Sequence, residues 1–150
     1  MQRHEADDPF LYACAELLDE AVRERGLTNG GFLVLRELRR SERDGGPASV
    51  ARLVDRLGAG ASEIESFVVR LERRGLIAPA GRSAAPDQNR YGVTDAGAEI
   101  LSAVDGVIRD NAERLALEHP GETTTVGAIA IAMRAGRFGS DELIDLLASA

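Results

Sequence analysis

Between Ser49 and Val93, two short helical patterns, a glycine-rich turn and two short strand patterns follow one another almost without linkers. Ser49 stands where an N-cap is needed, ahead of Val50, Leu53, Val54 and Leu57 at helical spacing. Gly58-Ala59-Gly60-Ala61 reads as a turn. Ser62 and Glu65 then make the S-x-x-E signature of a capping box, and Ile64, Phe67, Val68 and Leu71 mark the inner face of the helix that follows, up to Gly75. Ile77 to Arg82 and Arg90 to Val93 read as strands around the polar loop 83–89. Two strands alone are marginal in water, so this hairpin must pack on the helices beside it.

The flanking segments are helical. Residues 9–25 start at a proline suited to a first turn, keep Phe10, Ala13, Cys14, Leu17, Leu18, Ala21 and Val22 on one face, and stop at Gly26. Thr28 is the expected cap of a second helix with Phe32, Leu35 and Leu38 inward, and 41–47 is expected to be a loop. Thr94 is the expected cap of a long helix over 95–118, followed by shorter helices at 126–133 and 141–147. The expected fold is mainly α with a small β-hairpin wing: a winged helix-turn-helix lobe at 28–97, and helical segments at 9–26 and 98–150.

Charge is distributed along the same divisions. The net charge is −7, yet residues 31–97 carry eleven Arg against nine acids, while 1–30 carry three against seven and 98–150 four against nine. A mildly basic centre between acidic ends implies that they have different tasks. All 18 cationic residues other than His are Arg, a bias that codon usage in a G/C-rich genome accounts for, although Arg is also the side chain better suited to bidentate contact with phosphate or guanine. One cysteine and two histidines exclude an internal disulfide framework and argue against a zinc site of the usual kind. No cofactor, phosphate-loop or nucleophile motif is present. No apolar run is long enough to span a bilayer, and the polar, partly acidic start is unlike a secretory signal, so the expectation is a cytoplasmic protein without a membrane partner.

Several stretches carry a family resemblance. Leu27 to Leu38 resembles the second helix of MarR-type regulators, and Ser49 to Gly58 their third. Phe67-Val68-Val69-Arg70-Leu71-Glu72-Arg73-Arg74-Gly75-Leu76-Ile77 is similar to the end of their recognition helix and the first wing strand. Val93-Thr94-Asp95-Ala96-Gly97 resembles the start of their fifth helix. The resemblance covers residues 10–118, and the C-terminal part follows by layout. It implies a homodimer whose first and last helices interlock as a dimerisation layer, with each winged lobe in one half-site of double-stranded DNA. The implied function is a transcriptional repressor responsive to a small aromatic effector.

On that reading Ser62, Ser66 and Arg70 approach bases, while Arg52, Arg82 and Arg90 hold phosphates. Two departures from the family pattern fall on these elements. The mid-helix Thr-Arg pair is replaced by Glu65-Ser66, with Glu65 expected to serve locally as the capping partner of Ser62. The wing-tip Asp-x-Arg falls on Ala85-Pro86-Asp87, which removes its arginine. Carboxylates near phosphate erode affinity, so weak and strongly salt-dependent binding is expected. The competing reading is a descendant of the fold that has lost operator binding and serves as a small-molecule-binding, accessory or catalytic protein.

Phe10, Tyr12, Cys14 and Phe32 are the expected effector contacts by resemblance. Each has core packing as its competing role. Some relatives sense oxidants through an N-terminal cysteine, but Cys14 has no Lys, Arg or His within one helical turn to stabilise a thiolate.

Overall fold

The computed structural model describes residues 9–81, 88–118 and 144–145. In chain order these form α1 (Pro9–Glu24), α2 (Asn29–Asp44), β1 (Ala48–Ser49), α3 (Val50–Leu57), α4 (Ala61–Arg73), β2 (Ile77–Gly81), β3 (Arg90–Val93) and α5 (Asp95–Glu118). The architecture is mainly helical with one small antiparallel sheet, as the sequence predicts. The expected helix at 126–133 and most of that at 141–147 lie outside the described residues. Two compact units divide the chain: one holds Met1–Glu24 and Ala103–Ala150, the other Arg25–Ser102.

In the first unit, Cys14, Ala21 and Val22 of α1 are buried, as are Val104 and Ile108 of α5, together with Ile144. These positions keep the i, i+3, i+4 rhythm of a helix with one apolar face. Gly26, at φ 75°, follows α1 in the left-handed conformation that a glycine adopts without a Cβ penalty.

The second unit is built around α2. Thr28 caps it, its Oγ1 accepting from Gly31 N at 3.0 Å. Phe32, Val34, Leu35 and Leu38 are buried. Where a loop was expected from Ser41, the helix continues to Asp44. The apolar rhythm ends at Leu38, but Ser41 is buried, and its hydroxyl donates to Gly46 O at 2.7 Å to close the turn. Glu42 reaches β3 and accepts from Val93 N at 3.3 Å. Both side chains act locally on backbone, which hydrophobic periodicity does not register.

The sheet has three strands in the order β1-β3-β2, not two. β1 pairs with β3 through Ala48↔Tyr91 and Ser49↔Arg90. Two residues are too few for an alternating pattern, so sequence alone does not reveal this strand. β2 pairs with β3 from Ile77↔Val93 to Gly81↔Arg90, with an irregularity between Pro79 and Gly81. β2 is an edge strand, the place where a proline costs least in ladder hydrogen bonds.

Ser49 caps α3 as expected, its Oγ accepting from Arg52 N at 3.2 Å. The expected capping box does not form. Gly58, at φ 71°, ends α3, and Gly60 in extended conformation is the N-cap of α4, with no side-chain cap bond. The turn therefore closes before Ala61, and Ser62 is the second residue of the helix, past the position from which a hydroxyl can cap. Ile64, Val68 and Leu71 are buried. Phe67 lies so close to Gly30 of α2 that a Cβ there would overlap the ring.

Beyond α4, Gly75 at φ 73° turns the chain, and Leu76 N donates back to Leu71 O at 3.0 Å. Thr94 performs two tasks. Its Oγ1 accepts from Gly97 N at 3.2 Å to cap α5, and donates to Gly75 O at 2.6 Å to tie the sheet to the end of α4.

Candidate nucleic-acid interface

α3, a short glycine turn and α4 form a helix-turn-helix, and α4 presents a continuous exposed face. Ser62, Ser66 and Arg70 are spaced by four residues, so they stand one above another on that face. Glu65 and Val69 run beside them, both exposed, with Glu63 and Arg73 toward the two ends. The apolar interior of the unit takes the opposite side of the helix.

Arg70 does not hang free. Its Nη2 donates to Ser66 Oγ at 3.0 Å, and its guanidinium carbon lies 5.6 Å from the centre of the Phe67 ring. Hydroxyl and ring face together hold the cation along the helix surface. Arg52 is exposed in the first turn of α3, and Arg90 is exposed on β3 opposite Ser49. Since Ser49 both pairs with Arg90 and caps α3, the strand and the helix carrying these two arginines share one anchoring residue. Arg82 and the wing tip at Ala85-Pro86-Asp87 lie outside the described residues.

Three charged residues that were not singled out from the sequence set the shape of this face. Arg74 is exposed, but its two terminal nitrogens donate to Gly26 O and Arg25 O at 2.9 Å each. That arginine holds the end of α4 to the segment before α2 and is committed to structure. Glu37 of α2 is buried and pairs with Arg56 of α3 at 3.3 Å and with Arg40 at 3.5 Å, which fixes α3 against α2. Glu42 anchors β3 from α2, as described above. All three act between elements distant in sequence. The only local signal is a charge placed on the apolar side of a helix, and Glu37, beside Leu38, carries it.

Of the expected effector contacts, Cys14 is fully buried in the first unit and Phe32 is buried in the second. Phe10 and Tyr12 lie on α1, but their side chains are outside the described set. Among the described residues no three His, Cys, Asp or Glu gather as metal ligands, and no helix is long and apolar enough to cross a membrane.

No protein-family model matches the chain, and none of the curated proteins matches it. Solved structures do. The Staphylococcus aureus MarR in complex with salicylate and kanamycin superposes with a TM-score of 0.64 at 13% identity, over 81% of this chain and 77% of that one. The YusO protein from Bacillus subtilis gives 0.62 at 19% identity, over 83% and 84%. The Staphylococcus aureus MepR–DNA complex gives 0.61 at 16% identity, over 92% of both. The fold is thus a winged helix-turn-helix. In its particular form it is the fold of the MarR-type regulators.

Proposed function

We propose that this protein is a dimeric DNA-binding transcriptional regulator, a repressor released by a small aromatic effector. The observation that carries the reading is the outer face of α4. A helix buried on one side by Ile64, Val68 and Leu71 leaves Ser62, Ser66 and Arg70 in a row on the other, uncovered by the rest of its unit. A row of small polar side chains ending in an arginine suits entry into a major groove. Arg52, Arg82 and Arg90 are proposed as phosphate contacts, and residues 28–97 as the DNA-reading lobe. Residues 9–26 and 98–150 are proposed as the dimerisation layer. The similar structures include a MepR bound to DNA and a MarR bound to salicylate, which supports both halves of the proposal.

The mechanism is a population shift. A dimer that binds an operator holds its two recognition helices about 34 Å apart, one turn of duplex. An effector that favours a different separation lowers the fraction competent to bind and so relieves repression. Cys14, Phe32, Phe10 and Tyr12 are the proposed effector contacts.

A second reading, a descendant of the fold without operator binding, is favoured by one feature. Glu63, Glu65 and Glu72 are exposed on α4, while one of its neighbouring cations, Arg74, is engaged by the carbonyls of Arg25 and Gly26. Gel retardation with the upstream region of the protein's own gene separates the two readings. The regulator reading expects retardation at low salt that salicylate or a related phenol reverses. Absence of retardation by a verified dimer contradicts it.

A further inference from the structure

Glu65 has no local employment. The capping box that would have used it is absent, because Gly60 caps α4 and Ser62 sits inside the helix. Among the described residues, no hydrogen bond or ion pair engages its carboxylate, which is exposed. One helical turn further on stands Val69, the one large apolar side chain exposed among the described residues, at 46%. The two are four residues apart and therefore lie one above the other, about 6 Å apart along the axis.

An anion on a groove-facing helix is repelled by phosphate unless it meets a donor on a base edge. In the major groove, the cytosine N4 amino group is such a donor, and the thymine C5-methyl is the matching surface for an apolar side chain. The charge pattern agrees: Arg73, four residues beyond Val69 on α4, and Arg52 in the first turn of α3 are both exposed, so the helix-turn-helix offers cations for the backbone beside an acceptor for a base. About 6 Å spans one to two base-pair steps of 3.4 Å.

We propose that Glu65 and Val69 are specificity-determining residues. Glu65 accepts from a cytosine amino group and Val69 packs on a thymine methyl one or two steps away, so each operator half-site carries this cytosine–thymine pair. The proposal rests on the DNA-binding reading and adds to it which bases are read.

The test is selection of binding duplexes from a randomised library by the full-length protein, followed by titration of the enriched duplex. Enriched half-sites are expected to hold the cytosine and thymine within two steps of each other. Replacing that thymine by deoxyuridine, which removes only the methyl group, should weaken wild-type binding about fourfold and leave Val69→Ala unaffected. Glu65→Gln should lose about tenfold on the cytosine site and shift its preference toward adenine, which an amide pairs with through N6 and N7. An enriched site whose affinity is indifferent to both deoxyuridine and Glu65→Gln overturns the assignment while leaving DNA binding intact. A library that enriches nothing, with no retardation of any duplex, overturns the DNA-binding reading and this proposal with it.

Discussion

The ring of Phe67 on α4 fills the space in which a Cβ of residue 30 on α2 would stand. Gly30 is thus what lets α4 lie close against α2. Alanine is the better helix former by about 1 kcal/mol, so helix propensity alone predicts that Gly30→Ala stabilises the protein. The packing predicts the reverse: overfilling costs about 1–3 kcal/mol, and the variant should unfold at lower denaturant concentration than wild type. A raised midpoint would show that α2 and α4 do not approach this closely.

Arg74 and Arg73 are adjacent and both exposed, yet their roles should separate. Arg74→Ala removes two hydrogen bonds to Gly26 and Arg25, so the midpoint should fall by an amount equivalent to about 1 kcal/mol, modest because the group is solvated. Arg73→Ala should leave the midpoint unchanged. Equal effects on stability would contradict the role of Arg74 in holding the end of α4 to the segment before α2.

Glu37 ties α2 to α3 through Arg56, whose side chain is 45% exposed. Glu37→Gln keeps the shape and removes the charge. With Arg56 able to turn to water, the expected loss is about 1 kcal/mol in thermal or denaturant unfolding, and less at high salt. A loss that does not depend on salt would show that shape, not charge, matters at this position.

Much of this was readable from residues. Thr28, Ser49 and Thr94 announced their caps, because a hydroxyl before an apolar rhythm has one local use and the signal lies within three residues of its effect. That Ser62, Glu63, Glu65, Ser66 and Arg70 stand on the exposed side of α4 follows from helical period, whereas the choice of Ser62, Ser66 and Arg70 as base contacts came from the family resemblance. The capping box failed because Gly58 and Gly60 close the turn earlier than the S-x-x-E spacing assumes, and glycine permits many conformations while specifying none. β1 was invisible because its two residues are defined by Tyr91 and Arg90, far along the chain. Arg74, Glu37 and Glu42 were missed for the same reason: each charged group finds its partner across the fold, and local sequence carries no record of that partner.

Salt dependence reports the proposed phosphate contacts. The logarithm of the DNA association constant should fall linearly with the logarithm of salt concentration, and Arg52→Ala should flatten that line by about one ion per protomer while weakening all duplexes alike. An unchanged slope would remove Arg52 from the interface.

The proposed assignment of Arg70 on α4 and Arg90 on β3 to the DNA-contacting surface is tested most directly by comparing wild type with the Arg70→Ala, Arg90→Ala double variant in retardation of an operator duplex at low salt. Retardation by wild type is expected, with a loss of affinity of at least about tenfold in the variant and unfolding midpoints otherwise alike. Retardation by the double variant at wild-type protein concentrations would mean that this face is not the one that meets DNA.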